Sequence, residues 1–131
     1  MSEAGDARAI RELFAAYAAG FDAADAAAVA MLFTFPLTIW QSGEGHVFAD
    51  ADALAGNVEA MIDVFDEAGI IFMVPEMREV FSAGDAAFAS VHWRQEDPDH
   101  ELLNEFVCQY FLVRQGDAWR IATVVNEAVE S

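Results

Sequence analysis

A chain of 131 residues with 56% hydrophobic composition is the right size for one domain and apolar enough to bury a continuous core, so residues 1–131 are expected to form a single unit. Its formal charge of −17 sets 23 acidic side chains against six arginines, a surface that repels phosphate backbones and anionic membranes and argues against nucleic-acid and membrane partners. Cys108 is the only cysteine and the first residues carry no basic segment followed by an apolar run, so neither an internal disulfide nor a signal peptide is expected, and the reading is a cytoplasmic protein.

From Asp6, read as an N-cap, Ile10, Leu13, Phe14, Tyr17 and Phe21 fall on one helical face, with Arg8, Arg11 and Glu12 opposite. A second short helix begins near Asp22 or Asp25 and runs through Val29, Leu32 and Phe33 until Pro36 disfavours continuation. Leu37 to Gln41 is β-branched and aromatic, and the turn Ser42-Gly43-Glu44-Gly45 returns it as a hairpin through His46-Val47-Phe48. Asp50 or Asp52 caps a third helix with Leu54, Val58, Met61, Ile62 and Phe65 in one stripe, ending at Gly69.

Beyond Gly69 the period changes to that of strands, over about 70–83, 86–97, 101–114 and 118–127. Gly84-Asp85, Asp97-Pro98-Asp99-His100 and Gly116-Asp117 are turn chemistries suited to antiparallel neighbours. Three N-terminal helices followed by such a meander predict an α+β domain with the helices on one face of the sheet.

This order, with Tyr17 to Asp25, Met31-Leu32-Phe33 and the closing Gly116 to Ala122, resembles the NTF2-like superfamily of SnoaL-like domains. The resemblance covers nearly the whole chain and implies an NTF2-like (cystatin-like) cone in which a curved antiparallel sheet wraps the helices around a pocket. Ketosteroid isomerases of that superfamily provide a residue-level comparison. Tyr17 precedes Asp25 by the same spacing as their oxyanion-hole tyrosine precedes a helix-two aspartate. In that alignment their general-base aspartate falls at Gln41 and the protonated acid of their oxyanion hole at Gln109. A carboxamide cannot take a proton at neutral pH, but it can hold a carbonyl or hydroxyl by hydrogen bonds. Tyr17 is thus read either as a ligand contact beside Gln109 or as a core residue of helix one.

Pairing across the Asp97 to His100 turn sets His92 opposite Glu105, and puts Arg94, Gln109 and Asn126 on the same sheet face. A histidine beside a carboxylate is a candidate acid/base dyad, and equally a cross-strand ion pair. The other face carries Trp93, Phe106, Cys108, Tyr110 and Leu112, which a burial rule turns toward the helices. The resemblance implies the reverse, with this apolar face, extended by Trp119 and Ile121, packed on a second copy as a homodimer.

No metal site is expected, because His46, His92 and His100 are scattered and Cys108 is alone; Walker, dinucleotide and nucleophile-elbow motifs are absent, and no cofactor is expected. The leading functional expectation is a pocket for a small apolar or carbonyl-containing organic molecule, contacted by Tyr17, Trp40, Gln41, Phe65, His92, Gln109 and Asn126. The alternatives are an isomerase, cyclase or dehydratase with candidate catalytic residues His92, Glu105 and Tyr17, and a non-catalytic dimeric adaptor with a filled core.

Overall fold

The computed structural model describes residues 3–128, and side chains from 5 to 127. Helix α1 spans Glu3–Asp22, α2 Ala26–Ala30 and α3 Ala51–Ala68; the strands are β1 Phe33–Gln41, β2 Glu44–Phe48, β3 Phe72–Ala83, β4 Ala86–Glu96, β5 Leu102–Gln115 and β6 Ala118–Ala128. All six strands form one curved sheet in the order β2-β1-β6-β5-β4-β3, with the helices on one face, so the α+β architecture is as expected.

The sheet is mixed rather than wholly antiparallel, because β1 runs parallel to β6. Where the helical pattern of Val29, Leu32 and Phe33 points to a longer second helix, α2 stops at Ala30 and β1 already starts at Phe33, carrying a cis Phe35–Pro36 peptide. Leu32 C=O accepts from Ile121 N–H at 2.9 Å, so pairing with β6 captures the chain before another helical turn forms.

Local chemistry sets the helix ends. Asp25 Oδ1 accepts from Ala28 N–H at 3.1 Å and Asp50 Oδ1 from Ala53 N–H at 2.9 Å, each satisfying a backbone donor that the helix leaves unpaired. Gly69 closes α3 in the left-handed region at φ 80°, where a side chain would be strained. Asp6 does not cap α1, which begins at Glu3; instead its buried carboxylate accepts from Ser82 Oγ at 3.1 Å and Arg114 Nη1 at 3.0 Å, tying the helix to β3 and β5.

Strand alternation assigns the two faces. Ala87, Ala89, Val91, Trp93 and Gln95 of β4 and Cys108, Tyr110 and Leu112 of β5 point inward and are buried beneath α1. The ring of Phe14 lies 4.6 Å from Tyr110 and 6.4 Å from Trp93, and that of Tyr17 lies 5.1 Å from Trp93, centroid to centroid. The face holding Trp93, Tyr110, Trp119 and Ile121 is therefore the core and not a surface for a second copy; Phe106 on the same face is half-buried against it. Area decides this, since these rings bury more apolar surface against the helices than the smaller, more polar side chains of the other face could. No helix among the described residues is long and apolar enough to cross a membrane.

Candidate functional site

The inner face is sealed at one end and open at the other. Toward the C-terminal ends of β1 and β6 and the start of β5, the inward residues Ile39, Asn126 and Phe106 are half-buried and Gln41 is exposed. Gln41 and Asn126 pair in register on the parallel strands, which puts their carboxamides on one face about one strand spacing apart. They share a cleft of about 340 Å³ with Trp40, Ser42, Gly43 and Val125. The turn that shapes this edge needs left-handed backbone at Ser42, φ 54°, and Gly43, φ 78°.

A buried polar chain runs back from the cleft. Cys108 Sγ donates to Asn126 Oδ1, and the Asn126 amide nitrogen keeps no partner among the described residues. Cys108 also shares a hydrogen bond with Tyr110, whose hydroxyl bonds that of Tyr17 and accepts from Trp93 Nε1 at 2.8 Å. Burial pushes the Cys108 thiol up to about 12 and raises both phenols well above their ordinary value, because each anion would be stripped of water. At neutral pH the chain is a set of neutral donors and acceptors, with no activated thiolate.

On the outer face His92 stands between two carboxylates, with Nδ1 3.2 Å from Glu76 Oε2 and Nε2 3.2 Å from Glu105 Oε2, its side chain 12% exposed. Arg94 Nε lies 3.2 Å from Glu96 Oε2, and Glu96 is held below the usual carboxylate range, chiefly by a hydrogen bond from His100, with Arg94 adding to it. Gln109 points the same way; its Nε2 donates to Glu127 at 3.4 Å, and its buried Oε1 has no partner among the described residues.

The expected ligand set is thus divided. Tyr17, Gln41 and Asn126 face inward; Trp40, His92, Glu105 and Gln109 face outward, Trp40 reaching the cleft from its rim. Phe65 lies on α3 with its ring 5.9 Å from Phe21, and Phe21 stands between it and Tyr17, 5.2 Å from the latter. Tyr17 does meet a hydroxyl partner in the core, but that partner is Tyr110 rather than Gln109, which lies through the sheet. His92 and Glu105 do meet, diagonally, because His92 pairs with Val107 and Arg94 with Glu105.

Three participants escape the sequence reading. The resemblance turns Tyr110 and Trp93 outward, which hides their link to Tyr17. Glu76 faces His92 only because a bulge between Met77 and Glu79 shifts the β3–β4 pairing by one residue, and no turn signal marks it. Among the described residues, no group of three or more His, Cys, Asp or Glu side chains is placed to hold a metal ion.

Residues 5–129 match the NTF2-like protein family DUF6841. No curated protein matches the chain. Among solved structures, an NTF2-like protein with a cystatin-like fold from Novosphingobium aromaticivorans superposes with a TM-score of 0.80 at 20% identity, over 97% of this chain and 84% of that one. A cystatin-like domain of unknown function from Nostoc punctiforme gives 0.78 at 18% identity, over 100% and 81%. An NTF2-like protein of unknown function from Shewanella oneidensis gives 0.71 at 13% identity, over 92% and 98%. At these identities the likeness shows the fold alone.

Proposed function

The chain belongs to the NTF2-like family DUF6841, and on that premise we propose that it binds a small neutral organic molecule at the open end of the inner sheet face. The observation that carries this is the in-register pair Gln41 and Asn126 lining the cleft, with the Asn126 amide still free to donate. The cleft offers amide donors and acceptors beside the apolar surfaces of Trp40 and Val125, and no arginine lines it. A carbonyl or hydroxyl compound finds partners there, whereas a carboxylate or phosphate would be desolvated without a counter-charge.

Titration with cyclohexanone and 2-naphthol, followed by the indole and side-chain amide resonances, is the test. Saturable shifts of Trp40, Gln41 and Asn126 are expected, and Asn126→Leu should weaken binding about tenfold by removing one donor. Shifts that spare these three residues, or an unchanged affinity in Asn126→Leu, would remove the reading in favour of an adaptor without a ligand.

The contact of His92 with Glu105 favours a second reading, acid/base chemistry of the isomerase, cyclase or dehydratase kind. It lies on the face opposite Gln41 and Asn126, the outer face to which the Trp40 and Val125 of the cleft rim belong. Turnover of a ketone that is lost in His92→Gln would select it.

The homodimer is proposed again, now on the outer face. Phe81 and Phe111 are 64% and 50% exposed there and Trp40 44%, around a centre carrying both basic Arg94 and acidic Glu76 and Glu105. A two-fold axis through such a patch sets opposite charges and apolar rims against one another, which few other surfaces of so acidic a chain permit. Sedimentation equilibrium at micromolar concentration should give twice the chain mass, and Phe111→Glu should give one chain without loss of fold. A wild-type mass of one chain would end this proposal.

A further inference from the structure

The hydrogen-bond donors behind the cleft all run in one direction. Trp93 Nε1, which can only donate, gives its hydrogen to the Tyr110 hydroxyl at 2.8 Å. The Tyr110 oxygen is thereby engaged as an acceptor, and its own hydrogen is left for its two other neighbours, the Tyr17 hydroxyl and Cys108 Sγ. The thiol hydrogen of Cys108 passes in turn to Asn126 Oδ1. Cys108 is 2% exposed, and burial, which pushes its thiol up to about 12, keeps that hydrogen in place at neutral pH.

Sulfur is a weak acceptor, so turning Asn126 the other way, with its N–H groups inward, would replace a bond to a carbonyl by one to a poor partner. The carbonyl is therefore held inward and the amide nitrogen is left outward. That nitrogen has no partner among the described residues and is not sealed from solvent, and Asn126 forms part of the cleft wall. Gln41, its neighbour in register, is exposed and has no side-chain hydrogen bond among the described residues, so its carboxamide can offer either end to a ligand. Of the two amides, Asn126 alone presents a fixed polarity.

We propose that Cys108 is a positioning residue for the cleft: by holding Asn126 Oδ1 it turns the Asn126 amide hydrogens toward the ligand and makes the site selective for neutral hydrogen-bond acceptors, such as ketones and aromatic nitrogen heterocycles without an N–H group. This rests on the reading of the cleft as a binding site and narrows its ligand class. A compound that can only donate meets the Asn126 N–H groups head-on and keeps Gln41 as its one amide partner. A compound that accepts is met by both amides. Trp93 sets the direction from the buried end, because an indole offers no acceptor through which the chain could reverse.

The test is a paired titration with quinoline and indole in neutral buffer, where both are uncharged, followed by the side-chain amide resonances of Gln41 and Asn126. The two are fused aromatic bicycles of similar apolar area, but the quinoline nitrogen only accepts and the indole nitrogen only donates. Quinoline should bind about tenfold more tightly, which is the worth of one neutral hydrogen bond. Cys108→Ser keeps a donor beside Asn126 Oδ1 and should keep that ratio, whereas Cys108→Val frees the carboxamide to turn and should bring the two affinities within about threefold of each other. Asn126→Asp, at the open end of the chain, leaves only acceptors at this position and should reverse the preference; it decides the question should the core not accept valine. The ratio reports orientation, since a general loosening of the core would weaken both compounds alike. Equal binding of quinoline and indole by the wild-type protein, an unaltered ratio in a folded Cys108→Val, or an unaltered ratio in Asn126→Asp would each overturn this inference and leave the cleft as a binding site. Absence of saturable shifts at Gln41 and Asn126 with either compound would overturn the binding site and this inference together.

Discussion

Trp93→Ala should destabilise the protein by about 3 to 5 kcal/mol, an expected fall in Tm of roughly 10 to 20 °C for a domain of this length. Trp93 is 0% exposed, its ring meets Phe14 and Tyr17, and its Nε1 donates to the Tyr110 hydroxyl. Truncation removes the ring from the centre of the core, leaves a cavity that the surrounding aromatic side chains can only partly refill, and strips Tyr110 of a donor. Placed on the outer face, a tryptophan would give a far smaller effect, of the order of the 0.5 kcal/mol typical of surface substitutions. Thermal unfolding followed by circular dichroism separates the two outcomes. A loss below about 1 kcal/mol would mean that this face of the sheet is not the one beneath α1.

The order of elements was legible because turn chemistry and apolar period agreed along almost the whole chain. Gly69, Gly84 and Gly116 each sit at positive φ where an element ends, and the stripes of α1 and α3 contain the large apolar side chains of those helices that reach the core. The orientation of the sheet was harder to read. Both faces of β4 and β5 carry aromatic residues, with Phe88 and Phe111 outside and Trp93, Phe106 and Tyr110 inside, so alternation alone does not say which set the helices cover. Burial of the larger set settles it, and the reading that turned Trp93 outward gave more weight to resemblance than to area.

Register shows the limit on a finer scale. The turn after Glu96 is tighter by one residue than its sequence implies, with Asp97 N–H bonded to Glu101 C=O, and Leu103 is bulged from the β4–β5 ladder. Two single-residue shifts add to two. A shift of two preserves the face, so His92 and Glu105 still meet, although their pairing partners are different. The candidate site was legible only in part for the same reason: Gln41 and Asn126 could be named individually, but their adjacency depends on the parallel β1–β6 pair, a contact between strands about 80 residues apart that no local pattern encodes.

The protein should unfold cooperatively in alkali, in a single step that includes the ionisation of both tyrosines. Tyr17, Cys108 and Tyr110 form one hydrogen-bonded group in the core, and burial raises all three above their ordinary values. For each of them the charged form is the deprotonated one, so the folded state retains protons that the unfolded chain releases from about pH 9 upward. Their contribution is therefore fully present below about pH 9 and is lost as the pH rises toward and beyond 12, the value to which the Cys108 thiol is pushed. Each group that is ionised only in the unfolded chain removes about 1.4 kcal/mol of stability per pH unit. With three such groups, two units of pH can offset most of the 5 to 15 kcal/mol that stabilises an ordinary domain. The arginines stay charged throughout, so no loss of basic charge confuses the reading. The chain has only two tyrosines, so the phenolate component of the absorbance at 295 nm comes from Tyr17 and Tyr110. Its rise should coincide with the loss of the far-ultraviolet circular dichroism signal, at a midpoint above pH 10. Phenol ionisation near pH 10 with the helical signal intact would show that water reaches the Tyr17 and Tyr110 hydroxyls in the folded protein, and would remove the buried polar chain behind the cleft.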